Sequence, residues 1–414
     1  ISLNIALFFA KKMRGQKQHK STVSARIINI ATTAVAIGIA SILIAISTSQ
    51  GLQKEIQKKT SVFNGHILVT LFENNESQVS LLPMIDSDSI RNQIKEEINI
   101  EKIHSVALKA GMLKTDSDFE GILFKGVSEN FDWTSLSSFK TQGTFPSFDP
   151  QLTSDEILIS EVIASRLNLI LGDRVEAFFQ NSTGQGIPKR RRFTIVGIYF
   201  SGFPDVDENL VYGDLKQVQR LNKWDSNQIG GYELFVSNFK YLQQTANNIY
   251  DKLPSDLNSI PITDRFYGIF QWISLFDFNV LIILIVMLLV GVINMATALL
   301  VLILERSRMI GLLKALGANN FLIQKIFLYN GALIMAKGLF WGNIIGLGFY
   351  FSQYYFGWIT LDPETYFVSI APVSISFSEV LALNIFFLVI SVLLLWIPSK
   401  IILNIVPSKV LRFR

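Results

Sequence analysis

The sequence predicts a membrane protein with four transmembrane helices and a large α+β domain inserted between the first and second helix. The chain of 414 residues is 50% hydrophobic and only 17% charged, whereas soluble proteins contain roughly 25% charged residues. Four long apolar runs interrupt the sequence, and the basic residues between them are unevenly distributed. Together these observations argue against a single soluble enzyme and against a disordered chain.

The four apolar runs are Ile27–Ser47, Phe278–Leu304, Ile326–Phe351 and Val380–Ile397. A helix needs about 20 apolar residues to cross a bilayer, and each run is close to that length or longer. The second run is long enough to project beyond the bilayer as a stalk. The third run contains one charge, Lys337, near its middle. Because a buried ammonium is costly in a membrane, we expect this residue to be paired or functional.

The charges between the runs predict the orientation of the chain. The first 26 residues, the link after the second run and the tail after the fourth run are mostly basic, whereas the loop between the third and fourth runs contains Asp362, Glu364 and Glu379 and no base. By the positive-inside rule, both termini and the link are cytoplasmic. Because no small-residue cleavage site follows the first run, we interpret it as a retained signal-anchor.

Runs and charges together predict nine consecutive segments. They are a cytoplasmic N-terminal segment (1–26), helix 1 (27–50), an external domain (51–272), helix 2 (273–304), a cytoplasmic amphipathic helix (305–320), helix 3 (321–352), an external loop (353–379), helix 4 (380–398) and a cytoplasmic tail (399–414).

The external domain alternates short β-type runs with amphipathic helices. Helical spacing of apolar residues is found in Ser89–Ile98 and Phe239–Leu253. An α+β fold with mostly antiparallel strands fits this order better than regular βαβ units. The predicted strands are His66–Leu71, Ser105–Leu113, Gly121–Val127, Glu156–Ile159, Arg174–Phe179, Phe193–Tyr199 and Tyr232–Val236.

No catalytic or metal-binding set is predicted. The chain has no cysteine and only three scattered histidines, which argues against thiol chemistry and against a histidine metal cluster. The sequence contains neither a nucleophile elbow nor a phosphate-binding GxxxxGK[ST] loop. The chain therefore cannot hydrolyse ATP by that route itself.

Residues 180–192 form an unusual connection between two predicted strands. The segment is too long for a tight hairpin, contains glycines and a proline, and ends in the basic run Lys189–Arg192. It is either a solvated hairpin tip or a docking arm for an acidic partner outside the membrane. Because no aromatic residues are interleaved with the basic ones, we do not predict nucleic-acid binding.

The link 305–318 has the strongest motif. On a helix, Met309, Leu312, Leu313 and Leu316 form one apolar face, and Gly317 is a plausible C-terminal stop. Such a helix either lies in the lipid headgroups or fits a groove on a cytoplasmic protein. The pattern alone favours neither.

The whole link, Glu305–Ala318, resembles the coupling helix of FtsX-type ABC transporter permeases. The order and spacing of weaker matches resemble the lipoprotein-releasing LolC/LolE branch over nearly the whole chain. Two departures are the basic run at 189–192 and Lys337, where the family has an apolar or small residue. The weaker matches are Ala36–Ala40, Gln50–Glu55, Phe193–Tyr199, Asn209–Tyr212, Leu361–Phe367 with Pro372, and Pro407–Arg412.

The resemblance implies a permease subunit of the bacterial inner membrane that extracts triacylated lipoproteins and passes them to a periplasmic carrier. It implies a second permease chain, identical or homologous, and a separate ABC ATPase that uses ATP and Mg²⁺, with no cofactor bound by this chain directly. Membrane lipids surround it, and the external domain is periplasmic.

The resemblance also implies three groups of site residues. Those for ATPase coupling are Glu305, Arg306, Met309, Ile310, Leu312, Leu313 and Lys314. Those of the carrier-docking loop are Thr183, Gly184, Gln185, Gly186, Ile187, Pro188, Lys189 and Arg190. Those of the lipoprotein cavity are Ile39, Leu43, Ile46, Phe278, Ile282, Ile285, Leu289, Tyr366 and Phe367.

Two other functions remain open at this point: an efflux permease, and an FtsX-like mechanotransmitter that controls cell-wall hydrolases. For the helices themselves, the small-residue stripe Gly338, Gly342 and Gly346 predicts close packing in lipid. We expect the fourth helix to be its partner.

Overall fold

A computed structural model describes residues 22–75, 77–180 and 187–404. The chain forms two compact units. The helical unit takes the chain up to Lys54, Trp272–Thr360 and the residues from Ile370 onward, and the sheet unit takes Glu55–Gln271 and Leu361–Ser369. The loop 361–369 thus belongs to the sheet unit, although residues 272–360 separate it from the rest of that unit.

The described helices comprise four long apolar ones and several short ones. They are α1 (Thr22–Asn64), α2 (Asp88–Lys95), α3 (Glu161–Arg166), α4 (Pro204–Asp207), α5 (Leu215–Asn222), α6 (Leu242–Tyr250), α7 (Ile262–Arg265), α8 (Tyr267–Glu305), α9 (Ser307–Ala315), α10 (Asn320–Phe356), α11 (Pro363–Tyr366) and α12 (Phe377–Ser399).

All twelve strands in the described part of the chain lie between α1 and α8. They are β1 (Ile67–Leu71), β2 (Met84–Ile85), β3 (Ile100–Lys114), β4 (Phe119–Val127), β5 (Lys140–Gly143), β6 (Glu156–Ser160), β7 (Arg174–Phe179), β8 (Lys189–Tyr199), β9 (Leu210–Asp214), β10 (Gln228–Ile229), β11 (Gly231–Val236) and β12 (Leu257–Pro261).

Among the described residues, four helices are long and apolar enough to cross a membrane: α1, α8, α10 and α12. The prediction of four such helices is confirmed. The first contains 43 residues and the second 39, so at 1.5 Å per residue each is roughly 60 Å long, about twice the hydrocarbon thickness. Both helices are therefore long enough to extend well beyond the bilayer.

The glycine stripe of α10 packs against α1, so the expectation that it faces the fourth helix is wrong. A Cβ added to Gly342 would lie 2.7 Å from the Ala36 carbonyl oxygen and 2.8 Å from the Ile39 Cβ. Gly338 and Gly346 lie in the same way against Val35 and Leu43. The reason is complementary spacing: residues 35, 39 and 43 form a ridge on α1 with the same four-residue period as the groove on α10.

The fourth helix meets α10 through a different contact. Asn343 donates its side-chain amide to the Asn384 Oδ1 at 2.7 Å, and Asn384 donates back to the Asn343 Oδ1 at 3.0 Å. Farther along, Gly331 accommodates Leu395 of α12. A reciprocal amide pair satisfies polar groups that lipid could not hydrogen-bond.

The sheet unit is built on a ten-stranded sheet with the order β12-β1-β11-β3-β4-β9-β6-β8-β5, in which β7 pairs with β3 and β8. Most pairs are antiparallel, as predicted, and β4–β9 and β6–β8 are parallel. Every residue of β11 is buried, as expected for a strand covered on both faces. The helices α2, α5 and α6 contribute Ile94, Val218 and Ile249 to the core beneath the sheet.

Candidate functional site

The predicted coupling helix forms as α9, between α8 and α10. Gly317 lies just past its end with φ +90°, a left-handed conformation that glycine adopts without steric cost and that commonly ends helices. The side chain of Asn319 then accepts a hydrogen bond from the Leu322 N–H at 2.8 Å, which caps the start of α10.

The apolar residues of α9 divide between two faces, which corrects the predicted single docking face. Ile310 is fully buried, and Met309 and Leu313 pack partly buried against the core of the helical unit. Leu312 and Leu316 are instead 53% and 77% exposed. The sequence could not separate the two sets because apolar residues occur on nearly every side of this short helix.

The charged residues of the predicted coupling set also differ in position. Lys314 donates to the Ile402 carbonyl oxygen at 2.8 Å, and burial lowers the pKa of this ammonium. It therefore links α9 to the chain that follows α12. Glu305 is exposed at the end of α8, Arg306 is half-buried at the bend, and Arg308 is exposed. Arg308, Leu312 and Leu316 recur every four residues, so they form the exposed face of α9.

The predicted docking loop connects β7 to β8, which pair antiparallel with Phe179 opposite Lys189. Thr183, Gly184, Gln185 and Gly186 lie outside the described residues. Ile187 is 87% exposed, and Pro188 beside it is also exposed. The hairpin therefore presents an apolar side chain next to its basic strand.

The basic run of this hairpin makes several contacts within the sheet unit. Lys189 donates to the Leu221 carbonyl oxygen at 2.6 Å, and burial lowers the pKa of its ammonium. Arg190 and Arg192 both lie near Glu176, at 3.4 and 3.1 Å. The structure thus turns Lys189 towards α5 and partly neutralises the arginines, so the positive charge offered to a partner is smaller than the sequence indicates.

The predicted cavity residues on α8 are exposed, whereas those on α1 are not. Phe278, Ile282, Ile285 and Leu289 are 44–60% exposed, at spacings that place them along one side of α8. Sequence reasoning did not select Leu281, Val286, Val290 and Ile293, which are also exposed. Because α8 is apolar on all sides, hydropathy could not distinguish one face from another.

On α1, the predicted cavity residues Ile39 and Leu43 are not exposed in this chain. Both side chains are buried at 2% exposure or less and fill the groove along α10. Ile46 is partly buried in the same core. Among the side chains of α1 that the structure describes, the large apolar ones that are exposed are Ile30 and Ile37, on another face.

The last outer loop packs within the sheet unit. The ring of Phe367 lies 4.8 Å from that of Phe203, and its carbonyl oxygen accepts a hydrogen bond from the Lys59 Nζ at 3.1 Å. Phe367 has φ +60°, which is strained for a bulky side chain. Its ring is therefore a packing group rather than a free cavity surface, and Tyr366 before it ends α11.

An apolar groove of about 350 Å³ lies between α10 and α12, and its lining includes Lys325, Tyr329 and Leu393. None of the predicted cavity residues lines it. Lys337 lies on the exposed side of α10, near mid-helix. Its pairing stays a prediction.

Two families match the sequence. The FtsX-like permease C-terminal domain matches residues 281–407, and the MacB-like periplasmic core domain matches residues 30–247. The first match includes α9 and the second includes most of the sheet unit.

Similar curated proteins extend over nearly the full chain. The lipoprotein-releasing system transmembrane protein LolC of Neisseria meningitidis is 21% identical over 403 residues, 93% of each chain. LolE of Haemophilus influenzae, described in the same terms, is 20% identical over 424 residues, 99% of each chain. With four membrane-spanning helices, the protein is a multi-pass inner-membrane permease subunit. The chain belongs to the family of FtsX-type ABC transporter permeases that contain a MacB-like periplasmic core domain.

Proposed function

We propose that this permease extracts lipoproteins from the inner membrane and passes them to a periplasmic carrier for delivery to the outer membrane. The observation that best supports this function is the similarity to LolC and LolE over 93–99% of both chains, because it includes the sheet unit, the link helix and the last outer loop in one order. The termini and the link then lie in the cytoplasm.

The exposed face of α9 is the proposed contact for a separate ABC ATPase, which binds ATP and Mg²⁺. The exposed side chains of Leu312 and Leu316 provide an apolar surface, and Arg308 adds positive charge beside them. An amphipathic helix binds a groove through such residues spaced four apart. Because Ile310 and Leu313 anchor the other side of α9 in the helical unit, a force on this face would reach α8 and α10 directly.

The exposed apolar side of α8 is the proposed wall for the acyl chains. Leaving each buried methylene in water costs about 0.8 kcal/mol, so several long acyl chains would cost tens of kcal/mol. Extraction therefore needs a continuous apolar surface, and Phe278, Ile282, Ile285 and Leu289 provide one over more than two helical turns. A second permease chain, identical or homologous, would face this wall and close the chamber.

The β7–β8 hairpin is the proposed docking site for the carrier. Ile187 supplies an exposed apolar contact at its end, and Arg190 and Arg192 are more than half exposed despite their contacts with Glu176. Such a surface positions a partner but does not enclose an acyl chain, so it would orient the acceptor only.

Co-purification tests the proposed substrate. The chain, expressed in membranes with its ABC ATPase and a second permease chain, is expected to retain triacylated proteins when isolated without ATP. Mass spectrometry of the bound material identifies the lipid modification. A complex with a hydrolysis-deficient ATPase is the control, which should retain the same cargo. Recovery of no lipid-modified protein in either complex would contradict the proposal.

An efflux permease is the second candidate, because the family match over residues 30–247 is to a MacB-like core domain. Efflux requires no lipid-modified cargo, and neither does an FtsX-like mechanotransmitter. The same co-purification therefore separates these functions from lipoprotein release.

A further inference from the structure

The end of α1 is held by two cationic side chains. Gly65 has φ +70° and donates its N–H to the Ser61 carbonyl oxygen at 2.8 Å, which closes the last helical turn. The carbonyls of Phe63 and Asn64 have no intrahelical partner at such a terminus. Lys125 donates to the Phe63 oxygen at 2.8 Å, and Arg265 donates to the Asn64 oxygen at 3.3 Å.

A buried carboxylate completes this cluster. The Glu233 Oε2 lies 2.6 Å from the Lys125 Nζ, and the two side chains are 3% and 1% exposed. Burial lowers the pKa of Arg265, and the nearby Glu233 charge acts in the opposite direction. The Cβ of Glu233 also lies under Gly65, where an added Cβ would approach it to 2.9 Å.

The cluster joins the two ends of the polypeptide that forms most of the sheet unit. Lys125 lies on β4 and Glu233 on β11, on either side of β3. Asn64 is the last residue of α1, and Arg265 precedes α8 by two residues. The hydrogen bond from Arg265 to Asn64 therefore ties the start of the second long helix to the end of the first.

Stability alone does not explain such a cluster. A buried ion pair is often no more stabilising than apolar residues of similar size, and it is better attested as a device that fixes one geometry. The cations also face the negative end of the helix dipole, so they hold the axis of α1 at its terminus.

We propose that Lys125, Glu233 and Arg265 are positioning residues that transmit movement of α1 and α8 to the sheet. The inference rests on the proposed function, in which a partner ATPase moves these helices. It adds that the sheet moves together with α1 and α8, because the charged groups bind the end of α1 and the segment that precedes α8.

We call the cluster of Lys125, Glu233 and Arg265 at the end of α1 the joint. Spin-label distances test it without reference to any substrate. The natural chain lacks cysteine, so Lys58→Cys on α1 and Asp118→Cys beyond β3 provide two exposed labelling sites within the sheet unit. The full-length complex is measured by double electron–electron resonance with and without ATP. We expect one narrow distance distribution in each state, and a broad one after Lys125→Met combined with Glu233→Met.

The matched control removes another ion pair of the same sheet. Lys102 and Asp132 lie 2.5 Å apart and about one-third exposed, and their hydrogen bond is to each other rather than to the end of α1. Lys102→Met with Asp132→Asn should leave the distribution narrow, since Asn can retain the cap on Thr134. If the buried double variant does not fold, Arg265→Met, which removes the bond to Asn64 and the positive charge near Glu233 but keeps the Lys125–Glu233 pair, takes its place.

The expected functional result is a fall in release of about tenfold with ATP hydrolysis retained, within the usual range of coupling between sites. A distribution as narrow in the buried variant as in the control would overturn the joint. If the unaltered complex released no lipoprotein but the distances behaved as expected, the proposed substrate would fail and the joint would stand.

Discussion

The close packing of α10 on α1 predicts a specific sensitivity at Gly342. Replacing it with alanine would place a Cβ 2.7 Å from the Ala36 carbonyl oxygen and 2.8 Å from the Ile39 Cβ. Non-bonded heavy atoms prefer about 3.5–4.0 Å, so the two helices must separate or bend. The oxygen belongs to the backbone of α1 and cannot rotate away as a side chain could.

The cost follows from two opposing terms. Overpacking typically destabilises by about 1–3 kcal/mol, whereas glycine to alanine in a helix stabilises by up to about 1 kcal/mol. Gly348 provides the control on the same helix, because a Cβ there meets no atom within 4 Å. Gly348→Ala keeps the propensity gain without the clash, so the two variants should differ by about 1–3 kcal/mol.

Reversible unfolding in mixed detergent micelles measures this difference. We expect Gly342→Ala to be less stable than the natural chain or unchanged, and Gly348→Ala to be unchanged or more stable. Equal free energies of unfolding for the two variants would refute the close packing of α10 on α1.

Three further perturbations test other parts of the molecule. Leu312→Asp on the exposed face of α9 should weaken ATPase binding by at least about 2 kcal/mol, as for an interface hot spot, in a pull-down where Phe119→Asp on β4 binds normally. Asn343→Leu and Asn384→Leu, taken singly and together, should give a coupling of about 0.6–2 kcal/mol in a double-mutant cycle of unfolding, and additivity would argue against the amide pair. Burial lowers the pKa of His66 from 6.5 to about 4, so the unfolded chain binds more protons and the fold should lose stability as pH falls from 6.5 to 4. His66→Gln should reduce that slope in pH-dependent melting, and an unchanged slope would assign it to other groups.

Hydropathy and charge were sufficient to predict the four long helices, their order and the inserted domain. Apolar runs of this length can form few structures other than a helix in a membrane, since lipid offers the backbone no hydrogen-bond partner. Alternating strands such as Arg174–Phe179 were predicted well because one face is buried and the other is wet.

The partner of the glycine stripe was not predictable from α10 alone. Small residues indicate that a helix approaches closely, but not which helix. The matching ridge at Val35, Ile39 and Leu43 repeats with the same period on α1, and this was the available signal. Apolar side chains suit a cavity wall and a helix interface equally well, so their apolar character alone could not distinguish the two roles for Ile39 and Leu43.

The joint at the end of α1 gave little sequence signal. Lys125 is one of two charged residues in β4, and Glu233, 108 positions later, is the one charged residue of β11. Charges in strands usually mark a solvent face. Lys125 and Glu233 differ from such surface charges only in that their neighbours within β4 and β11 are mostly apolar and buried. Phe367 was similarly hidden, because its contact with Phe203 joins residues remote in the chain.

ATP-dependent transfer from a reconstituted membrane tests lipoprotein release most directly. Proteoliposomes containing this chain, its second permease chain, the ABC ATPase and a triacylated lipoprotein are mixed with the soluble carrier, and lipoprotein in the soluble fraction is measured over time. We expect transfer that requires ATP and stops with Leu312→Asp, although the variant still inserts into the membrane. Lipoprotein that stays in the membrane while the complex hydrolyses ATP in the presence of the carrier would contradict the function.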